Sequence, residues 1–525
     1  MTPMGEAGRN LAAIDIGTSS LHLAIARPSL SGRPEIVFKQ KVPVRLGSGP
    51  ADMKTLSPTA TDRALEVLSE FRALADAHDA QVHAVATSAV REATNRSSFT
   101  DRAREEAGIA VEVIAGTEEA RLIHLGVLGT LPISDRRHLV IDIGGGSTEV
   151  VVGEGVTPEI LRSFKLGHVR LTDRFFPGGH IEPMSIPACR TFILSFLARA
   201  AVTIANTTFD ITAGASGTFE TIERLVRMRR GTNGGRSEPT TKDEVDSVVE
   251  SIIAHRLNDP TGQIFNVDEH RQDTIVAGAL LVQGLMESLQ FNEFVVSPDA
   301  LREGLVLDRL NRRDPVGGDS LHHLTSIRAS SVEAVAVRFG ENVVHARQAT
   351  DIALRLFDAT AELHGFDRYE RDILEGASML HNIGRFIGHG AHHRHSYYLI
   401  RNSENLAGFN EHERELMAQV ARYHRKSVPK PTHPAFQALS EWDQRVVSVL
   451  AGALRIGIAL DRTYRNVASE IDVVPTSTSV AISVTGENLD LELFAARERK
   501  DLLEEALGVT ISIDRTESPT PVAAS

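Results

Sequence analysis

One local pattern constrains this chain more than any other. An apolar strand ends in Asp, runs into a turn of small residues, and continues as a second strand. It occurs twice, as IDIGTSSLHL at residues 14–23 and as IDIGGGSTEV at residues 141–150. Such a repeat predicts two similar lobes, each with its own buried sheet, whose turns face each other. Strand-like and helix-like runs alternate from residue 11 to about residue 310, the mark of an α/β architecture.

The chemistry of the turn follows from its residue types. Gly17, Gly144, Gly145 and Gly146 let the backbone approach a ligand closely. Successive N–H groups in such a turn form an anion-binding nest. Ser19, Ser20, Ser147 and Thr148 add hydroxyl donors, with Thr18 among them. Asp15 and Asp142 end the strands where a hydrated Mg²⁺ could sit beside phosphate oxygens. A third strand-to-turn step, AGASGT at 213–218, adds Gly214, Ser216, Gly217 and Thr218 as phosphate-binding candidates. A single D-x-G turn is most often only a hairpin. Repetition is what points to a phosphate chain gripped from two sides.

The formal net charge of −13 argues against a broad nucleic-acid-binding face, but it does not describe a local cleft. Cys189 is the only cysteine, so no intrachain disulfide is possible. The opening MTPMGEAGRNLAAID lacks the basic and apolar regions of a signal peptide. No stretch reaches the roughly 18 apolar residues of a membrane helix. A soluble cytoplasmic protein with no membrane partner is the expectation. After the breaker NRRDPVGGDS (311–320) the text turns helical to about residue 470. A strand–helix–strand module at 472–513 and a disordered tail at 514–525 complete the expected order.

Seven segments, in this order, carry a resemblance: AAIDIGTSSLHLAIA, ATSAVREATN, IAGTEEARLIHLGV, LVIDIGGGSTEVVVG, KLGHVRLTDRFF, TAGASGTFETI and VSPDALREGLVLDRL. Over residues 11–310 the chain resembles the exopolyphosphatase/guanosine pentaphosphate phosphatase family of the sugar kinase–Hsp70–actin superfamily. The resemblance implies two actin-like (ribonuclease H-like) lobes, at 1–127 and 128–312. An all-α HD-like domain (321–470) and the small α+β module would follow. It also implies metal-dependent removal of terminal phosphate from inorganic polyphosphate, or of the 5′ γ-phosphate from guanosine pentaphosphate. Mg²⁺ is the implied cofactor, with a monovalent cation as a second candidate, and a homodimer is the implied assembly.

By the same resemblance Glu119 is the base that activates water, a role a carboxylate can fill. Asp142 and Glu149 are the acidic pair that holds Mg²⁺, with Asp15 in the matching place of the first turn. Gly144 to Thr148 cradle the terminal phosphates. Arg91 stands near them, where a guanidinium fork suits phosphate geometry. Glu118 and Arg121 read as helix-surface or supporting residues. Ser19 departs from the family's usual Asn, which shortens the donor there.

The helical region holds twelve histidines between residues 322 and 433. It resembles the HD-like domain of the longer family members. His345 and His381 match its metal ligands, but Asn382 replaces the paired Asp and Ile458 the later one. Asp461, three residues on, faces a different direction along a helix. The site therefore reads as degenerate. The segment RFIGHGAHHRHS suggests a partly cationic wall for long phosphate chains, from Arg385, His389, His392, His393 and His395, with Arg394 and Arg401. Two other classes share parts of this pattern: a kinase- or chaperone-type ATPase, and a non-catalytic sensor of polyphosphate or alarmone. The intact Glu119, Asp142 and Glu149 argue against the sensor.

Overall fold

The structure, a computed structural model, describes residues 9–28, 34–47, 54–155, 157–204, 207–231, 238–260, 262–313, 323–403 and 405–516. The expected leader-free start at residues 1–8 and most of the expected tail lie outside them. The chain divides into two compact units, Met1–Leu324 and Thr325–Ser525.

The first unit contains the predicted duplication. Strands β1 (Asn10–Ile16), β2 (Ser20–Arg27), β3 (Glu35–Pro43), β4 (Ala80–Ala86) and β5 (Val111–Val113) form a sheet in the order β3-β2-β1-β4-β5. Strands β6 (Arg137–Ile143), β7 (Thr148–Glu154), β8 (Thr157–Phe164), β9 (Ile211–Ala215), β10 (Thr240–Thr241) and β11 (Glu293–Val296) form the second, in the order β10-β11-β9-β6-β7-β8. In each sheet an antiparallel three-strand meander joins parallel strands reached by helical crossovers. The central strands read as continuous apolar runs because both faces are covered. Leu11–Ile14 and Leu139–Ile141 are buried throughout.

Each lobe has its own apolar core, and a third cluster joins them. That shared core draws Leu11 and Ala13 from one sheet and Val140 and Val151 from the other. Helices Gly116–Thr130 and Leu301–Arg313 contribute Ala120, Leu122, Ile123, Val127, Leu301, Leu305 and Val306 to it and cross at two glycines. A Cβ on Gly126 would lie 2.0 Å from the Ala300 carbonyl oxygen, and one on Gly304 would lie 1.8 Å from that of Leu122. Arg121 reinforces the crossing, pairing with Glu118 at 2.7 Å and Asp308 at 2.6 Å while wholly buried. Of the two readings of Glu118 and Arg121, helix surface or supporting residues, the first is excluded by their burial. They belong to an ion triad between two helices.

The second unit is helical from His323–Arg338 to Glu441–Ala459 around one large core. It ends in a three-stranded sheet, β12 (Ala468–Pro475), β13 (Ser479–Gly486) and β14 (Thr510–Arg515), ordered β12-β13-β14. Strand β14 includes Asp514 and Arg515, which the sequence reading places in the tail. Among the described residues no helix is long and apolar enough to cross a membrane.

Candidate active site

The two turns are built alike. Gly17 N–H donates to the Ser20 carbonyl at 3.1 Å, and Gly144 N–H to the Ser147 carbonyl at 2.9 Å. In the first turn the carbonyls of Thr18 and Ser19 are taken by N–H groups of Val44, Arg45 and Gly47. In the second, the carbonyls of Gly144 and Gly145 are taken by N–H groups of His168, Val169 and Arg170, and that of Gly146 by the Arg170 guanidinium. Among the described residues the N–H groups of Gly145 and Gly146 have no protein acceptor. With its carbonyls turned away and its N–H groups unused, the loop is a ready anion nest. The turns meet closely: a Cβ on Gly145 would lie 3.0 Å from Thr18 Cβ. Gly167 is equally constrained, since a side chain there would strike the Gly145 carbonyl oxygen at 2.2 Å.

Between the turns lies a cleft of about 250 Å³. Of the residues singled out in the sequence, Asp15, Gly17, Thr18, Ser19, Ser20, Glu119, Asp142, Gly144, Gly145, Gly146, Ser147, Ser216 and Gly217 line it. Glu119 enters from the first turn of helix Gly116–Thr130 and accepts from Arg91 Nη1 at 2.8 Å. Ser216 adopts a left-handed φ of 82°, rare for a residue with a side chain, and its buried hydroxyl has no protein partner.

Five candidates stand elsewhere. Arg91 lies behind Glu119, donating to it and to the Ile114 carbonyl. The Thr148 hydroxyl donates its proton to the Leu166 carbonyl at 2.6 Å, so it cannot donate to phosphate. Glu149 is Asp142's cross-strand neighbour and accepts from Ser163 at 2.7 Å, one layer behind the wall. Gly214 is a packing glycine, because a Cβ there would meet the Phe219 ring at 2.4 Å. Thr218 packs against Gly278.

The acidic groups of the cleft are unstable by themselves. Burial, with Glu119 as the main neighbouring charge, pushes Asp15 up to about 8 and Asp142 up to about 7. Burial, Glu119 and Asp142 hold Glu149 well above the usual carboxylate range. Burial raises Glu119 too, against the pull of Arg91. Asp15 Oδ1 and Glu149 Oε2 are buried without a partner. Crowded hard oxygen donors with unmatched charge fit Mg²⁺. Among the described residues no three His, Cys, Asp or Glu side chains already surround one point. Mg²⁺ held by one or two carboxylates, its own waters and substrate oxygens needs no such cage.

The cleft also carries cationic groups that the sequence reading did not single out, alongside the acidic Glu220 and Glu303. Lys41, Arg271 and Arg302 line the cleft with His22, His168 and His270. The Arg271 guanidinium lies on Gly217, where a Cβ would come within 1.8 Å of Nη2. Burial pushes His168 down to about 3 and His22 well below its ordinary range. Enclosure and the Arg271 charge hold the Lys41 ammonium down, although much of the residue remains exposed. One signal was available: His22 pairs with Asp15 across β1 and β2 as Glu149 pairs with Asp142 across β6 and β7.

In the second unit Asp461 does face His345, whose Nδ1 lies 2.5 Å from Oδ2. The helical spacing in the sequence aims it elsewhere. His381, His392 and His424 each place Nδ1 on a backbone carbonyl. His392 is buried and cannot join a polymer-facing wall. Arg385, His389, Arg394 and Arg401 are exposed, while His393 and His395 are half-buried.

Two lobes of one topology, closing paired glycine turns on one cleft, define an actin-like protein. Residues 14–313 match the Ppx/GppA phosphatase family and residues 327–507 match domain III of the Ppx/GppA phosphatases. The chain belongs to the Ppx/GppA phosphatase family. It is 29% identical over 419 residues to a guanosine-5′-triphosphate,3′-diphosphate pyrophosphatase of Photobacterium profundum, covering 79% of this chain and 80% of the relative. A solved exopolyphosphatase from Cytophaga hutchinsonii ATCC 33406 is 29% identical with a TM-score of 0.53, over 58% of this chain and 98% of that one. A solved exopolyphosphatase-like protein is 26% identical with a TM-score of 0.52, over 59% of this chain and 99% of that one.

Proposed function

We propose that this phosphatase is an exopolyphosphatase that releases orthophosphate from the end of inorganic polyphosphate. The observation that carries the reading is the placement of Glu119: a buried carboxylate, oriented by Arg91, on the wall between two facing anion nests. The nests of Gly144–Ser147 and Gly17–Ser20 hold the terminal phosphates. Lys41, Arg271 and Arg302 neutralise the phosphates behind them. Glu119 accepts a proton from the attacking water as the new P–O bond forms and the bridging P–O bond breaks. The shortened chain leaves as a phosphate anion. Asp15 and Asp142, supported by Glu149, would hold Mg²⁺, which when bound draws charge from the phosphate oxygens. Phosphoryl transfer depends mainly on such positioning and neutralisation.

Guanosine pentaphosphate is the second reading, favoured by the pyrophosphatase relative that matches four-fifths of the chain. Release of phosphate from long polyphosphate, guanosine pentaphosphate and ATP, with and without Mg²⁺, separates the readings. Turnover of the pentaphosphate with no polymer cleavage would replace the first by the second. Turnover of ATP alone would reject both.

A further inference from the structure

A cavity of about 260 Å³ opens in the second unit, and none of the residues of the candidate active site lines it. Its floor is apolar: Val332, Leu354, Met379 and Phe409 are all buried. Its rim is acidic, with Glu333, Asp351, Asp372 and Glu375 against Arg328 and Arg347.

Both guanidinium groups are already engaged. Arg328 pairs with Asp372 at 2.9 Å and Glu413 at 2.6 Å, and its Cζ lies 4.7 Å over the Phe409 ring. Arg347 pairs with Glu333 at 2.6 Å. Asp351, exposed at the mouth, and Glu375, half-buried, by contrast make no hydrogen bond or ion pair among the described residues. Burial and the neighbouring carboxylates of Asp372 and Asp351 push the Glu375 carboxyl upward, against the pull of Arg371 and Arg368.

An apolar floor under two carboxylates that no cation contacts directly selects its ligand by chemistry. An anion is repelled. A neutral apolar molecule would bury the floor but leave the carboxylates facing each other. The volume lies below the ~300–1,000 Å³ of sites for drug-sized ligands, so the occupant is small. The chain segment preceding this unit's first helix, DPVGGDSLH at residues 314–322, carries two Asp and no Lys or Arg, so it offers no complementary charge. We propose that this cavity binds a small aliphatic ammonium ion of the diamine or polyamine class, with methylenes on the floor and nitrogen charges at Asp351 and Glu375.

The test is calorimetric titration of the full chain with putrescine, in an amine-free buffer at neutral pH, against butanediol as the uncharged isostere. Saturable binding of the diamine is expected, with no heat from the diol. Glu375→Gln and Asp351→Asn should each weaken binding roughly tenfold, the size of one lost charge-assisted hydrogen bond. Both substitutions preserve shape, and a thermal melt without ligand checks that each variant folds. Phosphate release by the variants should match wild type. Equal binding of diol and diamine would overturn the proposal, as would unchanged affinity in both folded variants. Absence of both binding heat and a ligand-induced rise in Tm would also overturn it.

Discussion

Arg91 Nη1 donates to Glu119 Oε2 at 2.8 Å and to the Ile114 carbonyl at 3.0 Å, so one guanidinium orients the buried carboxylate and ties it to the backbone leading into its helix. A water-activating base needs this fixed direction more than it needs an exposed position. Replacing Glu119 with Gln keeps the shape and removes the proton acceptor. We expect kcat for phosphate release to fall by about 10²–10⁴-fold, with the fold retained in a thermal melt. A folded variant with near wild-type turnover would remove Glu119 from the role.

Arg91→Lys separates charge from geometry. A lysine keeps the positive charge but cannot hold the carboxylate and the Ile114 carbonyl with one planar group. Turnover should drop by about tenfold through misdirection of Glu119. KM should change little, because the guanidinium stands behind the wall. A rise in KM alone would place Arg91 in substrate binding instead.

The cationic groups predict the opposite kinetic split. Arg271→Met and Lys41→Met should raise KM for long polyphosphate more than they lower kcat. Arg271 should have the larger effect, because solvent screens the more exposed lysine. Initial rates at several salt concentrations check this: the loss should shrink as salt rises and screens the wild-type attraction.

Burial gives a pH signature through His124, whose Nε2 lies 2.7 Å from Nε2 of His138. The His138 Nδ1 faces the Arg136 and Ile133 carbonyls, so His138 uses its proton there and His124 donates across the pair. Burial and His138 push His124 down to about 3 from an ordinary 6.5. Between those values the unfolded chain carries the extra proton, so stability falls as pH drops below 6.5 and the loss levels off near 3. His124→Asn should lower the slope of unfolding free energy against pH in that window by up to about 1.4 kcal/mol per pH unit. Denaturant melts across the window measure it, and an unchanged slope would contradict a buried neutral His124.

Gly304→Ala tests the helix crossing. Its Cβ would strike the Leu122 carbonyl oxygen at 1.8 Å, so the helices must separate. A cost of about 1–3 kcal/mol is expected from overpacking. Activity should fall as well, because Glu119 sits in the first turn of the helix that carries Leu122. Denaturant midpoint and phosphate release, measured together, check both effects.

The sequence carried the site unevenly, for physical reasons. Close approach leaves a local trace: at Gly17, Gly144 and Gly145 a Cβ would lie 2.9 Å from the Ser20 carbonyl oxygen, 3.2 Å from that of Ser147 and 3.0 Å from Thr18 Cβ, so the small residues that the turns need were legible. Thr148 and Gly214 were misread because they share those motifs, while their neighbours Leu166 and Phe219 commit them to packing. Arg271 and Lys41 belong to no motif. They reach the cleft because the chain returns to it from distant segments.

By itself, then, the sequence determined two alternating α/β lobes and the paired turns, because periodicity and turn chemistry are local properties, while Glu119 stood out only through the resemblance of its segment to a known family. Tertiary structure alone decided which hydroxyls are spent on carbonyls, which arginine stands behind Glu119, and where the cations gather. It also decided that Asp461 meets His345 and that His392 is buried. Those outcomes depend on burial and on contacts between residues far apart in the chain, and no spacing of letters encodes them.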